Sequence, residues 1–182
     1  MKERIVLGID PGTIVMGYGV VIAVGKKLQM LDVGSIKLGK LKDHTLKLQE
    51  IFKRTVELID KHHPDEIAIE APFYGKNVQS MLKLGRAQGV AMAAAMHRET
   101  PITEYAPKKI KIAITGNGNA SKEQVARMLV SILSTKDIPN DLDATDGLAT
   151  AVCHLLQNNL QTSGTKYSGW DAFIQKNPER KL

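Results

Sequence analysis

An α/β fold, built on a mixed sheet with an opening antiparallel meander and with helices on both faces, is what the 182-residue sequence predicts. Three observations point there. Three β-rich segments follow one another at the start of the chain, two of them joined by a Gly25-Lys26-Lys27 hairpin signal. Short apolar strands then alternate with long patterns of helical period. Finally, the runs Ile5-Val6-Leu7-Gly8-Ile9 and Ile67-Ala68-Ile69 are apolar throughout, as in strands covered on both sides.

Residues 4–9 read as the first, buried strand, and Asp10-Pro11-Gly12-Thr13 as the turn that follows. Residues 17–24 and 28–36 complete the meander. Over residues 41–62 the positions Leu48, Ile51, Thr55, Leu58 and Ile59 keep helical spacing, and Pro64 closes the segment. Residues 66–70 form a short strand. A second helix spans 78–97 and is rich in small residues, among them Gly85, Ala87, Gly89 and Ala91. Residues 102–105 read as a strand and 107–114 as a short helix, stopped by Gly116-Asn117-Gly118-Asn119. Ser121 with Gln124 three positions later is a capping-box signature for a helix to about Leu133. A last helix covers about 142–160. With the short 107–114 segment left out of the count, the order is β-β-β-α-β-α-β-α-α. Residues 1–160 form one domain in this reading, and 161–182, polar and Gly/Ser-bearing, a loose tail.

With 25 Lys plus Arg against 19 Asp plus Glu, the net charge of +6 favours an anionic partner without saying anything about fold. The single cysteine, Cys153, lies in an apolar run and reads as a small core residue of a reducing, cytoplasmic protein. No targeting segment is legible, and no apolar run approaches the roughly 20 residues of a membrane span, so no membrane partner is expected.

Four carboxylates carry the chemistry. Asp10 and Glu70 each end an apolar strand, and Asp143 and Asp146, three apart, share one face at the head of the last helix. Each has a plain structural reading: Asp10 as a turn residue, Glu70 as a solvated strand end, the pair as favourable charges at a helix start. Together they describe one sheet edge, where converging acids need a cation. Hard oxygen ligands suit Mg²⁺, with Mn²⁺ substituting, and not zinc. Two ions per site can activate a water and stabilise a leaving oxygen in phosphodiester hydrolysis. Asp141, five residues from Asp146, points elsewhere. His154, eight residues past Asp146 and about 12 Å along the helix, is too far away to join the acids. His62 and His63 end a helix and suggest no zinc site.

The motifs Gly8-Ile9-Asp10-Pro11-Gly12, Gly17-Tyr18-Gly19-Val20, Ile69-Glu70 with Phe73, Lys76-Asn77, Leu82-Lys83-Leu84-Gly85 with Gly89, and Asp143-Ala144-Thr145-Asp146-Gly147-Leu148-Ala149 resemble, in order and spacing, those of the RuvC family of Holliday-junction resolvases. The resemblance covers residues 4–156. It implies a ribonuclease-H-like fold and a homodimer that nicks two opposed strands of four-way junction DNA symmetrically. It also implies that Asp10, Glu70, Asp143 and Asp146 are the metal-binding catalytic acids, and that a RuvA–RuvB branch-migration complex is a partner. Family members often carry alanine where this chain has Thr145 and Gly147; small residues at both positions leave the assignment intact.

Basic residues near the acids should hold phosphates. Lys108, Lys109 and Lys111 precede the Gly116 loop and Lys122 opens the next helix; Lys76, Lys83 and Arg86 flank the Glu70 segment. By resemblance, Lys111 and Lys122 assist cleavage. Phe73 and Tyr74 sit in a loop bracketed by Pro72 and Gly75, in a chain only 4% aromatic. A ring there can stack on a base at the junction, and Phe73 matches the family's stacking position. Gly85 and Gly89 permit close backbone approach, either between subunits or onto the sheet.

Three other functions compete. The Gly8–Gly12 turn also resembles the phosphate turn of actin-like ATPases, but the length leaves no room for their second lobe. A non-cutting nucleic-acid module would not need all four acids. A nuclease acting on RNA or an RNA–DNA hybrid would share fold and metal site but not the Phe73 loop or the 83–89 helix motif.

Overall fold

In the computed structural model, residues 3–72, 77–135, 137–139 and 141–163 are described, the side chains of 158–163 excepted. Five strands and five helices follow in the order β1 (Glu3–Asp10), β2 (Val15–Val24), β3 (Lys27–Lys37), α1 (His44–His62), β4 (Glu66–Glu70), α2 (Val78–His97), β5 (Ile102–Tyr105), α3 (Pro107–Thr115), α4 (Lys122–Leu133) and α5 (Leu142–Ser163). The sheet order is β3-β2-β1-β4-β5. β1, β2 and β3 pair antiparallel, while β4 runs parallel to β1 and β5 parallel to β4. The mixed sheet with its opening meander, and the ribonuclease-H-like class expected from the resemblance, are therefore present.

Local chemistry explains most boundaries. A two-residue loop with Gly25 at φ 62° joins β2 to β3, where a glycine takes positive φ without a Cβ penalty. β2 begins at Val15, two residues earlier than predicted, because Asp10 pairs with Gly17 and the ladder extends past them. α1 starts at His44 because Asp43 caps it, its carboxylate accepting from Thr45 N at 2.8 Å. It stops at His63, which turns left-handed at φ 45° just before Pro64. The Ser121–Gln124 capping box closes in both directions.

Two expectations need adjusting. Residues 107–115 form a full helix, with Pro107 in its first turn and Gly116 at its left-handed end, so three helices follow β5. The last helix runs to Ser163, past the 160/161 boundary. Polar side chains such as Gln161 do not end a helix by themselves; the next glycine in the sequence is Gly164. Residues 164–182 lie outside the described residues.

Alternation along the strands makes two cores. Leu7, Ile9, Val20, Ile67 and Ile69 pack under Ile51, Leu58, Ala87 and Ala91 of α1 and α2. Val6, Val21, Ala68 and Tyr105 pack under α3, α4 and α5 through Ile110, Leu129, Leu148 and Val152. Helices thus cover both faces. Among the described residues, no helix is long and apolar enough to cross a membrane.

α5 lies unusually close to the sheet. A Cβ on Gly17 would stand 1.8 Å from the Asp143 carbonyl oxygen, and one on Gly8 2.2 Å from that of Gly147. A Cβ on Gly147 would stand 2.5 Å from Tyr18 Cα. Gly8, Gly17, Gly19 and Gly147, quoted above as motif letters, form the seam on which this helix rests.

Candidate active site

Parallel pairing of Ile9 with Ile69 leaves Asp10 and Glu70 side by side as the last residues of β1 and β4. The first turn of α5 crosses this edge and adds Asp143 and Asp146. Asp10 and Glu70 are each partly buried, as is Asp146, whose side chain is 18% exposed against 43% for Asp143. The Lys122 ammonium, from the start of α4, lies 2.6 Å from Asp146 Oδ2 and 3.4 Å from Asp143 Oδ1. A pocket lined by Glu70, Lys111, Lys122 and Asp146, floored by Ile110, Val125 and Ala149, opens here.

The electrostatics follow from crowding. Burial, then the Asp146 charge, push Asp10 up from its ordinary 3.8 to about 6. Burial, then the Asp10 and Asp146 charges, push Glu70 from 4.5 to about 8, against the opposing pull of Lys122 and Lys111. Burial also raises Asp146, although Lys122 holds it back. Lys122 loses some preference for its charge by burial, but its bond to Asp146 outweighs that and raises its pKa. These acids repel one another in a poorly solvated place, which a cation would relieve. Among the described residues no three carboxylates stand close enough to share one ion as the side chains are set. The donor set itself, four hard carboxylates at one strand edge with Glu70 and Asp146 lining the pocket, suits Mg²⁺ or Mn²⁺ and offers no thiolate or imidazole.

Not every expected residue joins this place. Lys111 acts on Glu70 and Asp146, as Lys122 does. Lys109 instead lies over the Tyr105 ring at 5.0 Å, and the Lys108 stem runs beneath Gly118. Lys83 and Arg86 are exposed on α2, across the sheet from α5. Phe73, Tyr74 and Lys76 lie outside the described residues. Among the described residues, no Cβ at Gly85 or Gly89 would meet an atom within 4 Å outside its own helix, so neither glycine serves close packing on the sheet. Gly147 differs from the expectation that any small residue would do there, since a methyl group would overlap the Tyr18 backbone.

Some functional contacts escaped the sequence reading. Asp141 does point away from the acids: it accepts from Ser35 Oγ at 2.6 Å, from Lys37 Nζ at 2.9 Å and from Asp143 N at 3.1 Å. The bonds from Ser35 and Lys37 hold its carboxyl down to about 2. It therefore caps α5 and anchors that end to β3. An Asp two residues before Asp143 is a legible cap signal; Ser35 and Lys37, over 100 positions away, carry none. His154 stands apart from the acids, beside Glu66.

A family model described as "Crossover junction endodeoxyribonuclease RuvC" matches residues 6–154. A protein of that name from Christiangramia forsetii is 64% identical over 179 residues, covering 98% of this chain and 93% of its own length. One from Bacteroides fragilis is 60% identical over 182 residues, covering 99% and 97%. Among solved structures, Thermus thermophilus RuvC is 31% identical with a TM-score of 0.78, over 87% of this chain and 98% of that one. The same organism's RuvC in complex with Holliday junction substrate gives a TM-score of 0.80 at 32% identity, over 87% and 97%.

Proposed function

The chain belongs to the RuvC family, and from that membership we propose that Asp10, Glu70, Asp143 and Asp146 form the site at which it cuts four-way DNA junctions. It is a metal-dependent nuclease, a crossover junction endodeoxyribonuclease serving recombination and repair, with a ribonuclease-H-like fold. One observation carries the site assignment: acids from three distant segments meet at a single strand edge, with Lys122 beside them.

The four carboxylates would hold Mg²⁺, with Mn²⁺ substituting and two ions per site. Bound metal supplies Lewis acidity at the phosphate and a water activated for in-line attack. The protein does the rest. Asp10 and Glu70 would be carried by the sheet and Asp143 and Asp146 by the seated helix, so that only side-chain rotation is needed to bring the donors onto an ion. Lys111 and Lys122 offset the acids' charge and supply donors to phosphate oxygens. The nicks leave ends that a ligase can rejoin. Lys83, Arg86, Lys108 and Lys109 extend the basic surface, and Lys76, Phe73 and Tyr74 would contact DNA from the adjoining loop.

A homodimer would place two such sites on opposed strands for paired nicks. Exposed Val78 and Leu82, the open space over Gly85 and Gly89, and a groove of about 340 Å³ along Val78, Met81, Leu82, Gly85 and Arg86 support α2 as the contact. A RuvA–RuvB complex, cytoplasmic location and a domain ending near the close of α5 complete the reading.

The test is an immobile four-way junction and its linear duplex, with Mg²⁺ or EDTA, beside Asp10→Asn. Paired nicks that require Mg²⁺ and Asp10 and spare the duplex are expected. Asp10→Asn should bind the junction and leave it uncut. Preferential cutting of an RNA–DNA hybrid would overturn the substrate while leaving the metal site.

A further inference from the structure

A second set of ionisable side chains is gathered beneath α5, at the other end of β4. Arg4 donates to Glu66 Oε1, His154 Nε2 lies 2.5 Å from Glu66 Oε2, and the Tyr105 hydroxyl lies 3.0 Å from His154 Nδ1. His154 is 2% exposed and Tyr105 4%. A carboxylate only accepts, so His154 donates from Nε2, and its Nδ1 accepts from the tyrosine. Glu66 is ionised, which Arg4 and His154 favour against its burial, so the first two bonds run toward it; burial lowers the His154 pKa and favours the neutral ring, whose Nδ1 then accepts from Tyr105.

The two ends are related by length. Glu66, Ala68 and Glu70 alternate onto the face of β4 that α5 covers. Four strand steps between Glu66 and Glu70 span about 13 Å. Asp146, Thr150 and His154, at i, i+4 and i+8, form one stripe of α5. Eight helical steps between Asp146 and His154 span about 12 Å. The helix stripe and the strand stripe thus match, with Glu66 bonded to His154 at one end and Glu70 within the field of Asp146 at the other.

Between the ends the seam is lined by Gly8, Ala68, Gly147 and Ala151. Such surfaces let the helix come close; Leu148 and Val152 pack beside them, and the Asp141 bonds to Ser35 and Lys37 fix the start of α5 to β3. A directional bond at the far end fixes the helix along its axis there too. We propose that the Arg4–Glu66–His154–Tyr105 chain is a positioning device for cleavage: it sets α5 axially against β4 and so holds Asp143 and Asp146 at the right distance from Asp10 and Glu70. The proposal rests on the reading of those four acids as the cleavage site.

The experiment uses the full chain carrying Tyr105→Phe, Glu66→Gln, His154→Ala or His154→Gln, with Asp10→Asn and the core variant Leu129→Ala as controls. Junction affinity, single-turnover cleavage at saturating junction, and the Mg²⁺ concentration for half-maximal rate are measured. Junction affinity should stay within about twofold, because the DNA-facing surface is unchanged. Cleavage should fall by about tenfold or more and the Mg²⁺ midpoint should rise several-fold, as a small misplacement of reacting groups requires. His154→Gln, whose amide can still donate to Glu66, should recover part of what His154→Ala loses. Leu129→Ala, fully buried on α4, should lower melting temperature without moving the Mg²⁺ midpoint.

Parental rates and Mg²⁺ midpoints in both Tyr105→Phe and Glu66→Gln would overturn the proposal, as would an equal midpoint shift in Leu129→Ala. Continued cutting by Asp10→Asn would instead overturn the site reading, and the positioning role with it.

Discussion

Asp10 and Glu70 keep protons in the folded chain that an unfolded chain has already released. Their pKa values, raised to about 6 and about 8 by burial and by neighbouring acids, set the sign of the linkage. Between the ordinary carboxylate range and about pH 8 the folded state binds more protons than the unfolded one. Stability without metal is then full at low pH and declines as pH rises through that window. In the proposed site Mg²⁺ would replace those protons, so the melting-temperature gain on adding Mg²⁺ should grow from about pH 5 to about pH 8, and binding should release protons. Thermal scans with Mg²⁺ or EDTA, and calorimetry in buffers of different ionisation heat, would measure both. A gain independent of pH would mean that these acids are not the ones holding metal. Asp141 behaves in the opposite sense, its carboxyl held low by Ser35 and Lys37 so that it stays charged as a cap. Its place next to two candidate ligands in sequence says nothing about this difference; its partners on β3 do.

At the scale of elements, α5 is the piece on which the site depends. It brings half the acids, and it can do so only because glycines on β1 and β2 let its backbone come within contact of theirs. Gly147→Ala places a methyl carbon about where Tyr18 Cα requires clearance, and neither side of that contact is a flexible side chain. We expect a loss of about 1–3 kcal/mol in unfolding free energy, typical of overpacking. Because the helix must lift, cleavage should fall more than junction affinity does. Denaturant titration alongside the cleavage assay checks this, and unchanged values for both would show that the seam can relax. The other helices depend on local signals. Pro64, Pro107, Gly116 and the Ser121–Gln124 box mark boundaries that were legible because each acts within a few residues of itself, whereas the Asp43 cap, which starts α1 at His44 and not at the expected 41, was not read. The starts of β2 and β3 were less legible, since a ladder ends where its partner ends.

For the whole molecule, the question is how one site becomes two coordinated cuts. α1 and α2 cover the sheet face away from α5, and α2 still exposes Val78 at 63% and Leu82 at 51%. Glycines with open space above them would let a second helix approach closely. If the proposed homodimer forms through this face, Leu82→Glu should give a monomer in light scattering and replace paired nicks by single, uncoordinated ones. A variant that stays dimeric and nicks in pairs would move the interface elsewhere. The net charge of +6 belongs to the same scale, giving a general attraction to phosphates that no single lysine accounts for.

The sequence by itself determined the element types, most of their ends, the acids proposed for the site and the family to which the chain belongs. Periodicity, caps and strand-end carboxylates are short-range features, and a chain read in order displays them. The resemblance singled out Lys111 and Lys122; the tertiary structure sets both beside the acids and alone decided that Lys109 turns to Tyr105. It alone decided that Gly85 and Gly89 leave space, whereas Gly8, Gly17 and Gly147 fill a contact. It also joined Glu66 to His154, 88 positions apart. Such pairings depend on how sheet and helix pack in three dimensions, and neither spacing nor composition encodes that packing one residue at a time.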